Sequence, residues 1–159
     1  MRLHVILEEN MKIYVVIHNV ISVQRLIEFA KVVYSLTDNG ILVATKVGGT
    51  AAQAGIPEVN KMAYKLGKGI IILPDLKDAV ELIRPEKVYL VTPGSGQKVN
   101  YSELFKNIPT MLVFHGLDEK FSKVDTSFGE EISMDIAVGD IGAPQLAAVL
   151  LYCVRKLIN

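Results

Sequence analysis

Apolar runs alternate with stretches of helical periodicity along most of the chain. The run "KIYVVI" at residues 12–17 is rich in β-branched and aromatic residues and predicts a buried strand. Similar runs, which also predict strands, are "ILVATKV" (41–47), "KGIIILP" (68–74), "KVYLV" (87–91) and "TMLVFHG" (110–116). Because apolar residues fill these runs rather than alternating with polar ones, they favour an open parallel sheet covered by helices on both faces.

The segments between these runs carry helix signals. Ser22 can cap a first helix that the turn "TDNG" (37–40) ends, and a second helix is predicted at 55–67, with proline near its start and glycine at its end. Asp75, with an acid three residues later, favours a third helix through Ile83. The further predictions are a short helical piece at 101–105, one strand-like run at 131–136 within the long segment 117–144, and a closing helix at 143–159. This last helix is apolar nearly all round, which is typical of a helix buried in the core or against another subunit.

Composition sets limits on the class of protein. The chain has 159 residues, half of them apolar, so we expect a single α/β domain over residues 1–159. Its 17 basic and 17 acidic side chains cancel, so no overall positive charge would attract nucleic acid. Residues 1–11 are a possible N-terminal extension before Met11, or they contain an edge strand at 3–7. The sequence has no apolar run long enough to span a membrane and no signal peptide, so we expect a cytoplasmic protein with no membrane partner.

Polar and glycine residues follow several predicted strands. These strand ends carry "HN" (18–19), "KVGG" (46–49), "TPGSG" (92–96) and "HG" (115–116), and ligands of open parallel sheets bind at this edge. None of these loops has a phosphate-binding glycine pattern. The single cysteine excludes a cysteine-based zinc site, and the three histidines lack a second ligand at metal spacing, so we predict no metal site.

The order of four segments resembles the SPOUT methyltransferases, the SpoU and TrmD superfamily. The stretch "NVISVQR" (19–25) resembles their first motif, an Asn and an Arg separated by five residues. The same order then continues with "YLVTPGSG" (89–96), "MLVFHGLDE" (111–119) and "ISMDIAVGDIGAPQLAAVLLYCV" (132–154), which looks like the last motif of the family. The resemblance covers residues 12–157, nearly the whole chain.

This resemblance implies a deep trefoil knot from about Val88 to the C-terminus, an exception to the rule against threaded chains. It also implies an obligate homodimer that binds S-adenosylmethionine through backbone groups of the three knot loops and methylates tRNA or rRNA. Arg25 would be catalytic, near the methyl donor of the other subunit, and Asn19 would fix its loop. The implied cofactor-binding residues are Thr92, Gly94, Ser95, Phe114, His115, Gly116, Ile132, Met134, Ile141, Gly142 and Ala147. RNA would be held by a local basic patch of Lys12, Arg25, Lys31 and Lys46 across the dimer.

Two alternatives stay open at this point. Gly142 stands where the family usually has Asn, Asp140 where Ser is frequent, and Cys153 where Glu is common, which favours a protein that binds a nucleotide-like ligand or RNA without catalysis. The second alternative is a Mg²⁺-dependent nuclease that uses acids of the 118–140 segment, above all Asp118 or Asp135.

Overall fold

A computed structural model describes residues 13–94, 96–105 and 108–158. Its strands are β1 (Ile13–His18), β2 (Ile41–Thr45), β3 (Ile70–Leu73), β4 (Lys87–Val91), β5 (Gln97–Lys98), β6 (Thr110–His115) and β7 (Glu130–Ser133). They form one sheet in the order β3-β2-β1-β6-β4-β7-β5, and every neighbouring pair is parallel. The open parallel sheet predicted from the apolar runs is confirmed.

The helices are α1 (Val23–Leu36), α2 (Ile56–Leu66), α3 (Leu76–Ile83), α4 (Lys123–Thr126) and α5 (Ala143–Ile158). A π-helical turn, Ala51–Gly55, leads into α2, and a 3-10 turn occupies Glu103–Phe105. The predicted caps are present. The Ser22 hydroxyl accepts a hydrogen bond from the Arg25 backbone N–H at 3.2 Å, and Asp75 forms a capping box with Asp78 at the start of α3.

Successive strand residues point to opposite faces of the sheet, and each face has its own core. Val15, Ile17 and Phe114 pack with residues of α1, α2 and α5. Val16 and Val113 pack with α3 and with Phe121, on the face where α4 also lies. Helices therefore cover both faces, as predicted.

The closing helix α5 is buried along one side only. Leu146, Leu150 and Leu151 are buried in the core, whereas Tyr152 is 52% exposed. The part of the chain that the structure describes contains no helix of the length and apolar content that crossing a membrane requires.

Three sequence predictions differ from the structure or lie beyond it. The strand predicted at 131–136 begins one residue earlier and ends at Ser133, and β5 and α4 were not predicted. β5 has two residues and α4 has four, so neither is long enough to show a periodic pattern. The alternatives for residues 1–11 lie outside the described residues, and the trefoil knot stays a prediction.

Candidate functional site

The strand order reverses direction between β1 and β6. From β1 the chain proceeds outward through β2 and β3, whereas β4, β7 and β5 lie beyond β6 on the other side. Loops that follow the strands at such a switch point diverge and leave a crevice at the carboxyl edge of the sheet.

A cleft of about 220 Å³ lies at this edge. Its walls are the loop after β4 (92–94), the loop after β6 (118–120), the loop after β7 (134–140) and Leu146 of α5. Small-molecule sites occupy about 300 to 1,000 Å³, so the cleft is narrow for a drug-sized ligand. Residues 118–120 and 135–140, in two of these walls, are all exposed.

Arg25 is fixed beside this cleft. Its Nη1 donates hydrogen bonds to the carbonyl oxygen of Gly116 and to Asp118 Oδ1, both at 3.0 Å, and its Nη2 donates to Asp118 Oδ2 at 3.2 Å. Nη2 also lies 3.6 Å from the place that a Cβ on Gly142 would occupy. Arg25 is thus not a free surface charge, because one chain alone places its guanidinium against two of the loops at this edge.

Asn19 lies elsewhere. Its backbone adopts φ +63°, and its N–H donates to the Thr45 carbonyl oxygen at 2.9 Å. Together with Lys46 and Gly48 it lines a separate depression, and it is not among the residues that line the cleft. Its carbonyl oxygen would be 2.7 Å from a Cβ on Gly116, so the two loops meet through their backbones.

The predicted cofactor residues separate into two groups. Thr92, Gly94 and Met134 line the cleft, and Gly142 lies next to Arg25 with φ +92° and its N–H bonded to Asp140 Oδ1 at 2.8 Å. Ile141 is exposed on the same loop. Ser95 lies outside the described residues.

The other predicted cofactor residues do not present their side chains to the cleft. Phe114, Ile132 and Ala147 are buried in the core on the α1 and α5 face, so only their backbone atoms are available to a ligand. His115 packs against His18 and Phe121, on the face of the sheet that carries α3 and α4. Gly116 contributes its carbonyl oxygen to Arg25.

A polar cluster that the sequence analysis did not predict lies on that other face. His18 pairs in register with Thr45 on β2 and with His115 on β6. His18 Nδ1 is 2.8 Å from Thr45 Oγ1, and His18 Nε2 is 3.2 Å from Asp125 Oδ2. His18, Asp75 and Asp125, which we call the His18 cluster, each bring one ligand-type atom to within 4.8 Å of the others.

Residue spacing in the sequence does not reveal this cluster, because its members come from three distant segments. His18 ends β1, Asp75 caps α3, and Asp125 lies in α4, which has no periodic signal in the sequence. Only the register of β1 with its neighbours, together with the position of α4, brings them together.

Burial lowers the pKa of His18, while the charges of Asp125 and Asp75 oppose this shift. The ring is only 2% exposed, so the uncharged imidazole is the favoured form at neutral pH.

The stability of the fold should therefore fall as the pH is lowered below the unfolded-state pKa of His18, about 6.5. In that range the unfolded chain takes up a proton that the folded chain refuses, which lowers the free energy of unfolding by up to about 1.4 kcal/mol per pH unit. Urea unfolding between pH 7.5 and 5.5 in EDTA would measure this slope, and His18→Gln should flatten it. An unchanged slope in His18→Gln would show that His18 is not the cause.

Solved structures share the fold across almost the whole chain. A probable methyltransferase from Bordetella pertussis superposes with a TM-score of 0.74 at 8% identity, covering 97% of this chain and 99% of that one. The SpoU methyltransferase AviRb from Streptomyces viridochromogenes gives 0.75 at 11% identity over 94% of this chain and 60% of its own, and 0.70 at 9% identity in complex with the cofactor AdoMet, S-adenosylmethionine. A putative RNA methyltransferase from Bacillus anthracis gives 0.71 at 13% identity, covering 92% of this chain and 94% of that one. The fold is therefore that of the SPOUT superfamily, as the resemblance of the motifs implied.

Relatives by sequence carry a different description. The putative type II restriction enzyme MjaORF1200P from Methanocaldococcus jannaschii is 38% identical, covering 92% of this chain and 99% of that protein. The putative type II restriction enzyme ApeKORF2002P from Aeropyrum pernix is 35% identical, covering 86% of this chain and 88% of that protein. The model of the family described as RecB-family nuclease (DUF2122) matches residues 49–153. The chain therefore belongs to the family described as RecB-family nuclease (DUF2122).

Proposed function

We propose that this chain is an S-adenosylmethionine-dependent methyltransferase that acts on RNA. The observation that carries the proposal is the position of Arg25, held by Gly116 and Asp118 beside a cleft that three loops form at the carboxyl edge of the sheet. The fold supports it as well, since several solved proteins with this fold are described as RNA methyltransferases.

The cleft has groups that suit S-adenosylmethionine. Asp118, Glu119 and Asp140 line it, and carboxylates attract a sulfonium or ammonium cation and accept hydrogen bonds from ribose hydroxyls. Met134 and Leu146 add apolar surface for an adenine ring. Gly94 has φ +72° and no atom within 4 Å of an added Cβ, so a ligand can reach its backbone. The residues that line the cleft therefore fit the cofactor. Because the cleft is narrow, the 134–140 loop has to move outward when the cofactor binds.

When bound, S-adenosylmethionine supplies a methyl group activated on sulfur, and the protein must position the acceptor in line with it. Arg25 is suited to this task. A guanidinium that is paired with a carboxylate through two hydrogen bonds can exchange it for an RNA phosphate or stabilise an anionic acceptor atom. Asp118 is 55% exposed, so an incoming phosphate can displace it from Arg25.

The remaining RNA-contacting residues of the proposal come from the basic patch. Lys31 and Lys46 are exposed, and Lys12 lies outside the described residues. Because the chain has no net charge, these side chains would have to act as a local patch. A homodimer, in which the patch is completed by a second copy, is part of this proposal.

Calorimetric titration with S-adenosylmethionine tests whether the chain binds this cofactor, and two glycines offer a matched pair of variants. Gly94 and Gly67 both have a positive φ and open space around an added Cβ, but only Gly94 lines the cleft. Alanine at a positive φ is strained by about 1 to 2 kcal/mol, so the loop of the free Gly94→Ala variant should shift to a relaxed conformation. Binding of the cofactor would then have to restore the strained conformation at that cost in free energy. We expect saturable binding that is about tenfold weaker in Gly94→Ala and unchanged in Gly67→Ala. No saturable binding to the unaltered chain would remove the cofactor from the proposal.

A metal-dependent nuclease is the second candidate, and the descriptions of the family and of both sequence relatives favour it. The acids first considered for it are engaged elsewhere. Asp118 pairs with Arg25, Asp135 lies 3.1 Å from Lys98 Nζ, and neither belongs to the His18 cluster. Incubation of labelled DNA and RNA with Mg²⁺ or Mn²⁺ tests this candidate. Cleavage that Asp118→Asn or Asp135→Asn abolishes would support it.

A further inference from the structure

The His18 cluster lies apart from the cleft of the proposed methyl transfer. The side chains of His18 and Thr45 face the side of the sheet that carries α3, and none of the cluster residues lines the cleft. We propose that His18, Asp75 and Asp125 bind one divalent transition-metal ion such as Zn²⁺. This site is independent of the proposed function, because it shares no side chain with it.

The ligand atoms are already near coordinating positions. Ligands around a tetrahedral zinc at about 2.0 to 2.2 Å lie roughly 3.4 Å from one another. His18 Nε2 and Asp125 Oδ2 are 3.2 Å apart, and all three ligand atoms lie within 4.8 Å of one another. Asp75 reaches the same space from the start of α3, where its Oδ1 also accepts the Leu76 N–H at 2.7 Å.

The groups around the ligands hold them in the way that metal sites require. Thr45 is fully buried, and its hydroxyl lies 2.8 Å from His18 Nδ1, which fixes the ring and leaves Nε2 directed at the carboxylates. The ring is stacked on Phe121, with centroids 6.5 Å apart. The Asp125 backbone N–H donates to the Ser122 hydroxyl at 3.1 Å, so α4 also fixes the second ligand.

Charge favours a cation at this place. The carboxylates of Asp75 and Asp125 converge on the His18 ring, and Asp125 Oδ2 lies 3.2 Å from His18 Nε2. A dication would compensate the two negative charges directly. One histidine and two carboxylates are a nitrogen and oxygen set that zinc accepts, and three protein ligands leave a fourth position for water on the side where Asp75 is exposed.

The test is a titration of the metal-free full-length chain, prepared without a histidine tag, with Zn²⁺ alone. We expect one ion per chain and a rise in Tm on binding. Asp125→Asn and Asp75→Ser should each weaken the affinity by at least about tenfold. The serine keeps a hydroxyl that can cap α3, so this variant removes the ligand while the helix retains a cap.

Asp135→Asn is the matched control, since it removes an acid outside the cluster and should leave zinc affinity unchanged. Co²⁺ titration of the same proteins gives a second measurement, because visible absorption reports the ligand set directly. The proposal is overturned if the unaltered chain shows no saturable binding, or if Asp75→Ser and Asp125→Asn bind zinc as tightly as the control. Failure to bind S-adenosylmethionine would leave this result unaffected.

Discussion

Replacing Arg25 with alanine is expected to reduce the rate of methyl transfer to RNA by about 100- to 1,000-fold, the effect of removing one preorganised electrostatic group from an active site. The variant loses the guanidinium that bonds Gly116 and Asp118, but it should stay folded, because a partly exposed ion pair contributes at most about 1 kcal/mol. Single-turnover transfer from methyl-labelled S-adenosylmethionine measures the loss.

Two further variants make this prediction specific. Arg25→Lys keeps the charge but cannot form the paired hydrogen bonds, so it should recover only part of the rate. Arg155→Ala removes another arginine, which is paired with Asp38 at 3.7 Å outside the cleft, and should leave the rate unchanged. Cofactor binding without methyl transfer to any RNA, and without any effect of Arg25→Ala on that binding, would instead favour the protein that binds a ligand without catalysis. Gly142 agrees with this outcome, since the SPOUT motif usually has Asn at that position.

Phe114→Ala is expected to lower the free energy of unfolding by about 3 to 5 kcal/mol. Phe114 is 0% exposed on β6, between β1 and β4, and its ring makes an edge contact with Phe29 at a centroid distance of 5.7 Å. Removing the ring leaves a cavity in the larger core. Urea unfolding monitored by circular dichroism measures the change.

Val138→Ala is the control, because this side chain is fully exposed on the 134–140 loop and should change stability by no more than about 0.5 kcal/mol. A loss below about 1 kcal/mol in Phe114→Ala would contradict the packing described here.

The sheet could be predicted because its central strands are apolar on both sides. The sequence shows a continuous apolar run for each of β1, β2, β4 and β6. Such runs are typical of strands in a parallel sheet that is covered on both faces. β5 and α4 could not be predicted in this way. β5 is a strand because it pairs with β7, and α4 begins at the Ser122 cap. Neither the pairing nor the cap produces a periodic pattern of apolar residues in the sequence.

The site residues were selected from motifs, and their role in a reaction stays a prediction. Arg25 was selected from the order of four motifs, but its partners lie 91 and 93 residues further along the chain, and spacing cannot identify them. A motif also gives the position of a residue without the direction of its side chain. Phe114 and Ala147 follow the family pattern, yet both side chains point into the core.

The sequence relatives and the structural neighbours are described by different reactions. The relatives at 35 and 38% identity are described as restriction enzymes, whereas the solved structures with this fold include RNA methyltransferases. We favour the second, because Arg25 is held by Gly116 and Asp118 beside the cleft.

Methyl transfer and strand cleavage can be measured side by side. A single preparation is incubated with methyl-labelled S-adenosylmethionine and total RNA, and in parallel with end-labelled RNA and DNA in the presence of Mn²⁺. We predict label in the RNA that Arg25→Ala reduces, together with intact end-labelled strands. Metal-dependent cleavage without incorporation of label would contradict the proposed methyltransferase and support the nuclease.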